Sequence, residues 1–164
     1  MSDSLPDVDG TLFRQLLSRF ATGVTIITAR DSHGYPVGMT ASSLASVSFT
    51  PPLVSVCVDV TADTHRALSA SGTFVINILA ADQQALSHRF AVEPTEVRFH
   101  DLAVEETSDG HVIMPGALAY IQCERFADFP LGDHTLFVGR VTGGMARDGQ
   151  PLLYYRGNYG TLHG

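Results

Sequence analysis

The sequence predicts a mainly β fold with short helices, arranged as a closed or nearly closed antiparallel barrel. Apolar runs rich in β-branched residues recur, at 24–29 (VTIITA), 53–58 (LVSVCV) and 74–79 (FVINIL). Short turns join several neighbouring runs, which argues for antiparallel pairing. A set of about seven short strands leaves edges exposed unless the sheet curls onto itself.

The elements follow in order. Residues 1–10 read as a flexible polar tail, ahead of one domain over 11–164. Leu12, Phe13, Leu16, Leu17 and Phe20 recur at helical spacing, and Gly23 stops that helix. Residues 24–29 form a strand, 31–36 (DSHGYP) a turn, and 37–41 a strand pairing back. The spacing of Leu44, Val47 and Phe49 breaks alternation, so a bend or bulge falls within 42–50. Pro51 and Pro52 cannot donate ladder bonds and mark the start of strand 53–58. Thr64 is placed to cap a short helix that ends at Gly72. Strand 74–79 comes next, then a helix through 83–91 with Asp82 as its cap. Residues 91–115 read as an irregular excursion, and 117–127, 134–146 and 151–155 as three closing strands.

Composition narrows the function. The chain has 164 residues, enough to bury about 70% of its unfolded surface. A net charge of −7, with 10 scattered Lys and Arg, argues against a nucleic-acid partner. No apolar run approaches the roughly 18 residues of a membrane helix, and the acidic N-terminus lacks a secretory apolar region. Cys57 and Cys123 form no metal or disulfide pattern, which fits free thiols in a reducing cytoplasm.

Chemical motifs are mostly missing. There is no GxGxxG, no GxxxxGK[ST] and no GxSxG. The seven histidines show no HxH or HExxH spacing, so a dedicated metal site is not expected. With no catalytic group evident, a bound cofactor is the natural carrier of any hard chemistry.

Five constellations remain. Six of the sixteen residues from 38 to 53 are Ser or Thr, between apolar runs. Thr40, Ala41, Ser42 and Ser43, with Cys57, Val58 and Asp59, could let a flat ligand approach the backbone; a wet strand face is the alternative. Asn77 is polar within FVINIL and must find partners, either a ligand or nearby backbone. Ser87 and Arg89 sit at a helix end, where Arg suits a phosphate or merely faces solvent. His134 follows Asp133, which could orient it for a ligand or for structure alone. Tyr154, Tyr155 and Tyr159, three aromatics around Arg156, suit ring stacking or a dimer seam.

These pieces together resemble a known family. FATGVTIITA (20–29), GYPVGMTASSLASVSFTPPLVSVCVD (34–59), FVINIL, QQALSHRFA, GDHTLFVGRV (132–141) and PLLYYRGNYGTL (151–162) are similar to the short-chain flavin reductases of two-component monooxygenases. The resemblance implies the FMN-binding split β-barrel, a Greek-key-like antiparallel barrel. It implies a homodimer that passes hydride from NADH or NADPH to FMN or FAD. Reduced flavin would then diffuse to a separate oxygenase component. Residues 40–43 and 57–59 would line the flavin ring and ribityl chain, beside Asn77. Ser87 and Arg89 would reach the phosphate. His134 would contact the nicotinamide nucleotide, aided by Tyr155, Arg156 and Tyr159. A flavin-binding protein of the same fold without nicotinamide turnover is the alternative, and a structural barrel dimer without cofactor is a third.

Overall fold

The computed structural model describes residues 7–163. Helix α1 spans Gly10–Leu17, capped by Asp9, whose carboxylate accepts the Leu12 N–H at 2.7 Å. It thus starts two residues before the first apolar repeat, inside the expected tail. It ends short of Phe20, because a 3₁₀-like turn at Arg19 and Phe20 takes over. Gly23 does not stop a helix; it lies in the short strand β1 (Thr22–Gly23).

The main sheet has seven antiparallel strands. They are β2 (Thr25–Arg30), β3 (Pro36–Ala41), β4 (Ala45–Ser48), β5 (Leu53–Asp59), β6 (Thr73–Ile78), β9 (Ala119–Leu131) and β10 (His134–Ala146), in the order β3-β2-β6-β9-β10-β5-β4. The bend expected within 42–50 is the β4 edge, with a register shift between Ser46 and Ser48 against β5. The ladder ends, β3 and β4, are not paired with each other. The side chain of Ser43 bridges this seam: its hydroxyl accepts the Cys57 N–H at 2.9 Å and donates to the Cys57 carbonyl at 3.3 Å.

Helix α2 (Asp63–Ser71) follows β5, and α3 (Gln84–Val92) follows β6. Neither has a side-chain cap. Thr64 falls inside α2 with its hydroxyl buried and unpaired, and Asp82 lies two residues ahead of α3. Gly72 does end α2, in the left-handed conformation. The 91–115 excursion holds α4 (Thr95–Arg98) and a small ladder of β7 (Glu105–Glu106) with β8 (Val112–Ile113). Arg98 pins α4 to β3, donating to the Gly38 carbonyl at 2.7 Å; burial pushes its pKa below the ordinary arginine value. The chain closes with β11 (Leu153–Tyr155) and β12 (Asn158–Gly160), which extend β1 into a separate three-stranded sheet.

Strand alternation produces two cores. Ile27, Ile76, Val56, Val58 and Phe137 face the barrel interior, which α2 plugs with Ala67 and Leu68. Ile26, Val24 and Leu79 face outward under Phe90 of α3, Met114 and Leu152. Strands β2 and β6 are therefore buried on both faces, which is why they read as unbroken apolar runs. Helix α1 is the exception to this burial: none of its residues is buried. No helix among the described residues is long and apolar enough to cross a membrane.

Candidate functional site

The hydroxyl-rich segment leaves β3 at its C-terminal end and crosses the seam. There a pocket of about 160 Å³ is lined by Val24, Thr40, Ala41, Ser42, Ser87, Ala91, Tyr154 and Tyr159. Five of these were nominated from sequence. Tyr154 belonged to the C-terminal aromatic constellation, whereas Val24 and Ala91 carried no mark in the sequence.

Polar groups in the pocket are largely bonded to one another. The Thr40 hydroxyl donates to the Ser87 carbonyl at 2.6 Å. The Ser87 hydroxyl, fully buried, meets the Tyr159 phenol at 2.8 Å. Ser42 is exposed at the mouth, and its hydroxyl has no protein partner among the described residues. The ring of Tyr159 lies edge-on to Tyr154, with centroids 5.4 Å apart.

Across the Ser43 bridge lies the rim formed by β5 and β10. Cys57 pairs with Leu136, and Asp59 with His134, so all four side chains share one face. Val58, between them, points inward and is fully buried; its side chain belongs to the core, and only its backbone can line a ligand. His134 is bonded through Nδ1 to Asp133 at 2.7 Å, which leaves Nε2 to face a ligand. The Thr61 N–H (2.8 Å) and hydroxyl (2.7 Å) hold the Asp59 carboxyl below the usual carboxylate range, and the charges of His134 and His65 add to this. His65 was missed by sequence reading. Its Nε2 lies 2.8 Å from the Thr135 hydroxyl and its ring stands edge-on to Phe137. It reaches from α2 to the inward face of β10, opposite the face that carries Asp59 and His134.

Three nominated groups stand apart from the pocket. Asn77 is wholly buried and fully bonded: its amide donates to Ile26 O (2.9 Å) and Thr28 Oγ1 (3.1 Å), and its carbonyl accepts the Met114 N–H (2.9 Å). Arg89 turns towards α4 and donates to the carbonyls of Val97, at 2.7 Å, and His100. Tyr155 and Arg156 lie at the β11–β12 turn, where Arg156 has φ 52° and donates its N–H to Ser18 O at 3.1 Å. They line a shallow groove of about 430 Å³ that shares the Tyr159 wall with the pocket. A roomier cavity, about 770 Å³ between the β2–β3 turn, α2 and α4, holds none of the nominated residues. The seam is the candidate site instead, because the unpartnered Ser42 hydroxyl and the aromatic wall of Tyr154 and Tyr159 meet in its pocket.

The sheet order and this seam define an antiparallel split barrel built around a ligand groove. Residues 17–163 match the flavin reductase like domain, and the chain belongs to that family. It is 41% identical over 156 residues to the reductase component of 4-nitrophenol 4-monooxygenase/4-nitrocatechol 2-monooxygenase from Rhodococcus opacus, covering 95% of this chain and 83% of that protein. It is 43% identical over 148 residues to the FMN reductase (NADH) SmoA of Agrobacterium fabrum, covering 90% and 83%. Among solved structures, flavin reductase PheA2 superposes with a TM-score of 0.87 at 38% identity, covering 96% of this chain and all of that one. The Streptomyces globisporus NADH:FAD oxidoreductase SgcE6, solved with NAD and FAD fragments, gives 0.88 at 32% identity, covering 94% and 93%.

Proposed function

We propose that the chain is an NAD(P)H-dependent flavin reductase that supplies reduced flavin to a separate oxygenase component. The observation that carries this reading is the seam itself. An open hydroxyl and backbone at Ser42 lie beside an aromatic wall, and an imidazole with one free nitrogen stands across the Ser43 bridge. The relatives support it, since their names describe NADH-dependent flavin reduction and reductase components of monooxygenases.

The residues fit a flavin and a nicotinamide. A bound flavin supplies the redox chemistry, accepting hydride from the nicotinamide. The chain binds, aligns and shields. Residues 40–43 and the backbone of 57–59 line the flavin ring, and His134 Nε2 contacts the nicotinamide nucleotide. Tyr155, Arg156 and Tyr159 border the groove. Neither Asn77 nor Arg89 contacts the flavin in this reading; both hold the surrounding structure.

The functional unit is a homodimer of one domain spanning 11–164. Leu12, Phe13, Leu16 and Leu17 leave an apolar face on α1, and Phe20, in the turn that follows it, is 73% exposed. A helix this short draws its stability from packing, so a partner surface is expected. The pocket of about 160 Å³ is also smaller than the roughly 300–1,000 Å³ of ordinary cofactor sites, and a second copy supplies the missing wall. The two free thiols and a nicotinamide supply fit a cytoplasmic setting.

The test is direct. Purified chain is mixed with each pairing of NADH or NADPH with FMN or FAD, and absorbance is followed at the nicotinamide band. Oxidation above the enzyme-free blank is expected with at least one pairing, and the ranking identifies the preferred pair. Flavin binding without oxidation in any pairing makes the chain a flavin carrier instead. Sedimentation at the same concentrations should give twice the chain mass; a monomer that reduces flavin removes the dimer from the reading.

A further inference from the structure

We propose that Ser87 is the positioning residue of the flavin pocket, and that its hydrogen bond to Tyr159 sets how tightly flavin is held. This rests on the reading above that the pocket takes a flavin.

Ser87 is fully buried, and its carbonyl and hydroxyl are both engaged within the protein. It holds two of the walls that line the pocket. Its carbonyl takes the Thr40 hydroxyl at 2.6 Å, which fixes the end of β3 against α3. Its hydroxyl takes the Tyr159 phenol at 2.8 Å, which fixes β12 against the same helix turn. The arrangement also means that neither wall freely offers its hydroxyl to the ligand. Thr40 presents its methyl and backbone, and Tyr159 presents its ring.

The second contact matters because β12 is weakly tied down. It pairs only with β11, which is joined to the barrel side through the two-residue strand β1. Among the described residues, the Ser87–Tyr159 bond is the one side-chain hydrogen bond from β12 to the rest of the molecule. Its loss frees the wall from the helix while leaving the ring in place chemically. A wall that is already ordered spares the ligand the entropy of ordering it. Releasing it should weaken flavin without altering how the nicotinamide is met at His134, beyond the seam.

Three variants test this: Tyr159→Phe, Ser87→Ala and the double variant. Tyr159→Phe removes one oxygen from a half-buried ring and is the variant that keeps the fold safest. Three readouts are taken: flavin dissociation constant by fluorescence titration without nicotinamide, the KM of each substrate with kcat, and amide exchange of residues 158–160 in the free chain. Each single variant is expected to raise the flavin dissociation constant and KM about fivefold, the factor one neutral hydrogen bond is worth. In each variant the nicotinamide KM should rise by less than the flavin KM. The double variant should match the worse single one, since both remove one bond. Exchange at 158–160 should quicken in all three. Additive losses, equal rises in both KM values, or unchanged exchange would each overturn the proposal. A parent chain that binds no flavin rejects the functional reading instead, and the exchange arm still decides whether Ser87 holds β12.

Discussion

The pocket beneath Tyr159 and the rim at Asp59 and His134 are joined by one serine bridge, yet they spend their polar groups in opposite ways. In the pocket, the hydroxyls of Thr40, Ser87 and Tyr159 satisfy one another, and the net result is shape. On the rim, Asp59 and His134 are only half-buried and His134 keeps one ring nitrogen without a protein partner, so the polar groups face outward. The difference follows from burial. A buried hydroxyl without a partner costs free energy, so it is bonded internally. A half-buried imidazole at the rim has water as its alternative partner and can exchange it for a ligand. The pocket is therefore read by geometry, and the rim by charge and hydrogen-bond chemistry.

The largest expected effect lies beneath both regions. Asn77 closes three bonds with no exposure, and Asn77→Ala leaves the Met114 N–H buried and unpaired and strips a second donor from the Ile26 carbonyl. A loss of about 3 kcal/mol in unfolding free energy is expected. Flavin affinity of the folded fraction should change little. Urea unfolding measures the first and fluorescence titration the second. A variant of near-parental stability that binds flavin tenfold more weakly would move Asn77 into the site.

Next is the rim. His134→Ala should raise the nicotinamide KM about tenfold, or roughly 1.4 kcal/mol, with a smaller change in flavin KM. Asp133→Asn keeps the shape but weakens the Nδ1 anchor at 2.7 Å, and should raise the same KM only a few-fold. Steady-state kinetics with each substrate varied in turn distinguish these outcomes. A larger effect on flavin for either variant would erase the contrast between rim and pocket.

The fold was more legible than the site, and particular residues show why. Runs such as VTIITA and FVINIL mark strands because β2 and β6 are buried on both faces, and burial leaves a local compositional trace. Caps were less legible. Thr64 and Asp82 are good cap residues by type, but α2 and α3 start beside them, and tertiary placement overrode the local preference. The excursion at 91–115 hid α4 and a small ladder, because segments of two to four residues carry too little periodicity. In the site, residue types singled out Thr40, Ser42, Ser87 and Tyr159 in separate constellations, and only the folded chain lines them along one pocket. Side-chain direction was not legible: Val58 faces the core by strand alternation, and His65 reaches inward-facing Thr135 from a helix. The family resemblance supplied the rest, since neither burial nor spacing names a flavin.

The smallest effect sharpens the comparison on the helix that serves the pocket. Ser87 and Arg89 stand two residues apart on α3, and their side chains leave it in different directions. Ser87 points under the pocket, whereas Arg89 is held by the Val97 and His100 carbonyls beside α4. A guanidinium spent on two carbonyls has fewer donors left for a phosphate. Arg89→Ala should therefore weaken FMN and riboflavin alike, by no more than about twofold, through a slight loosening of the α3–α4 turn. Riboflavin lacks the phosphate, so paired titrations isolate that contact. A loss confined to FMN would show that Arg89 leaves those carbonyls when ligand binds, and the anion would then be read by charge on the pocket side as well as on the rim.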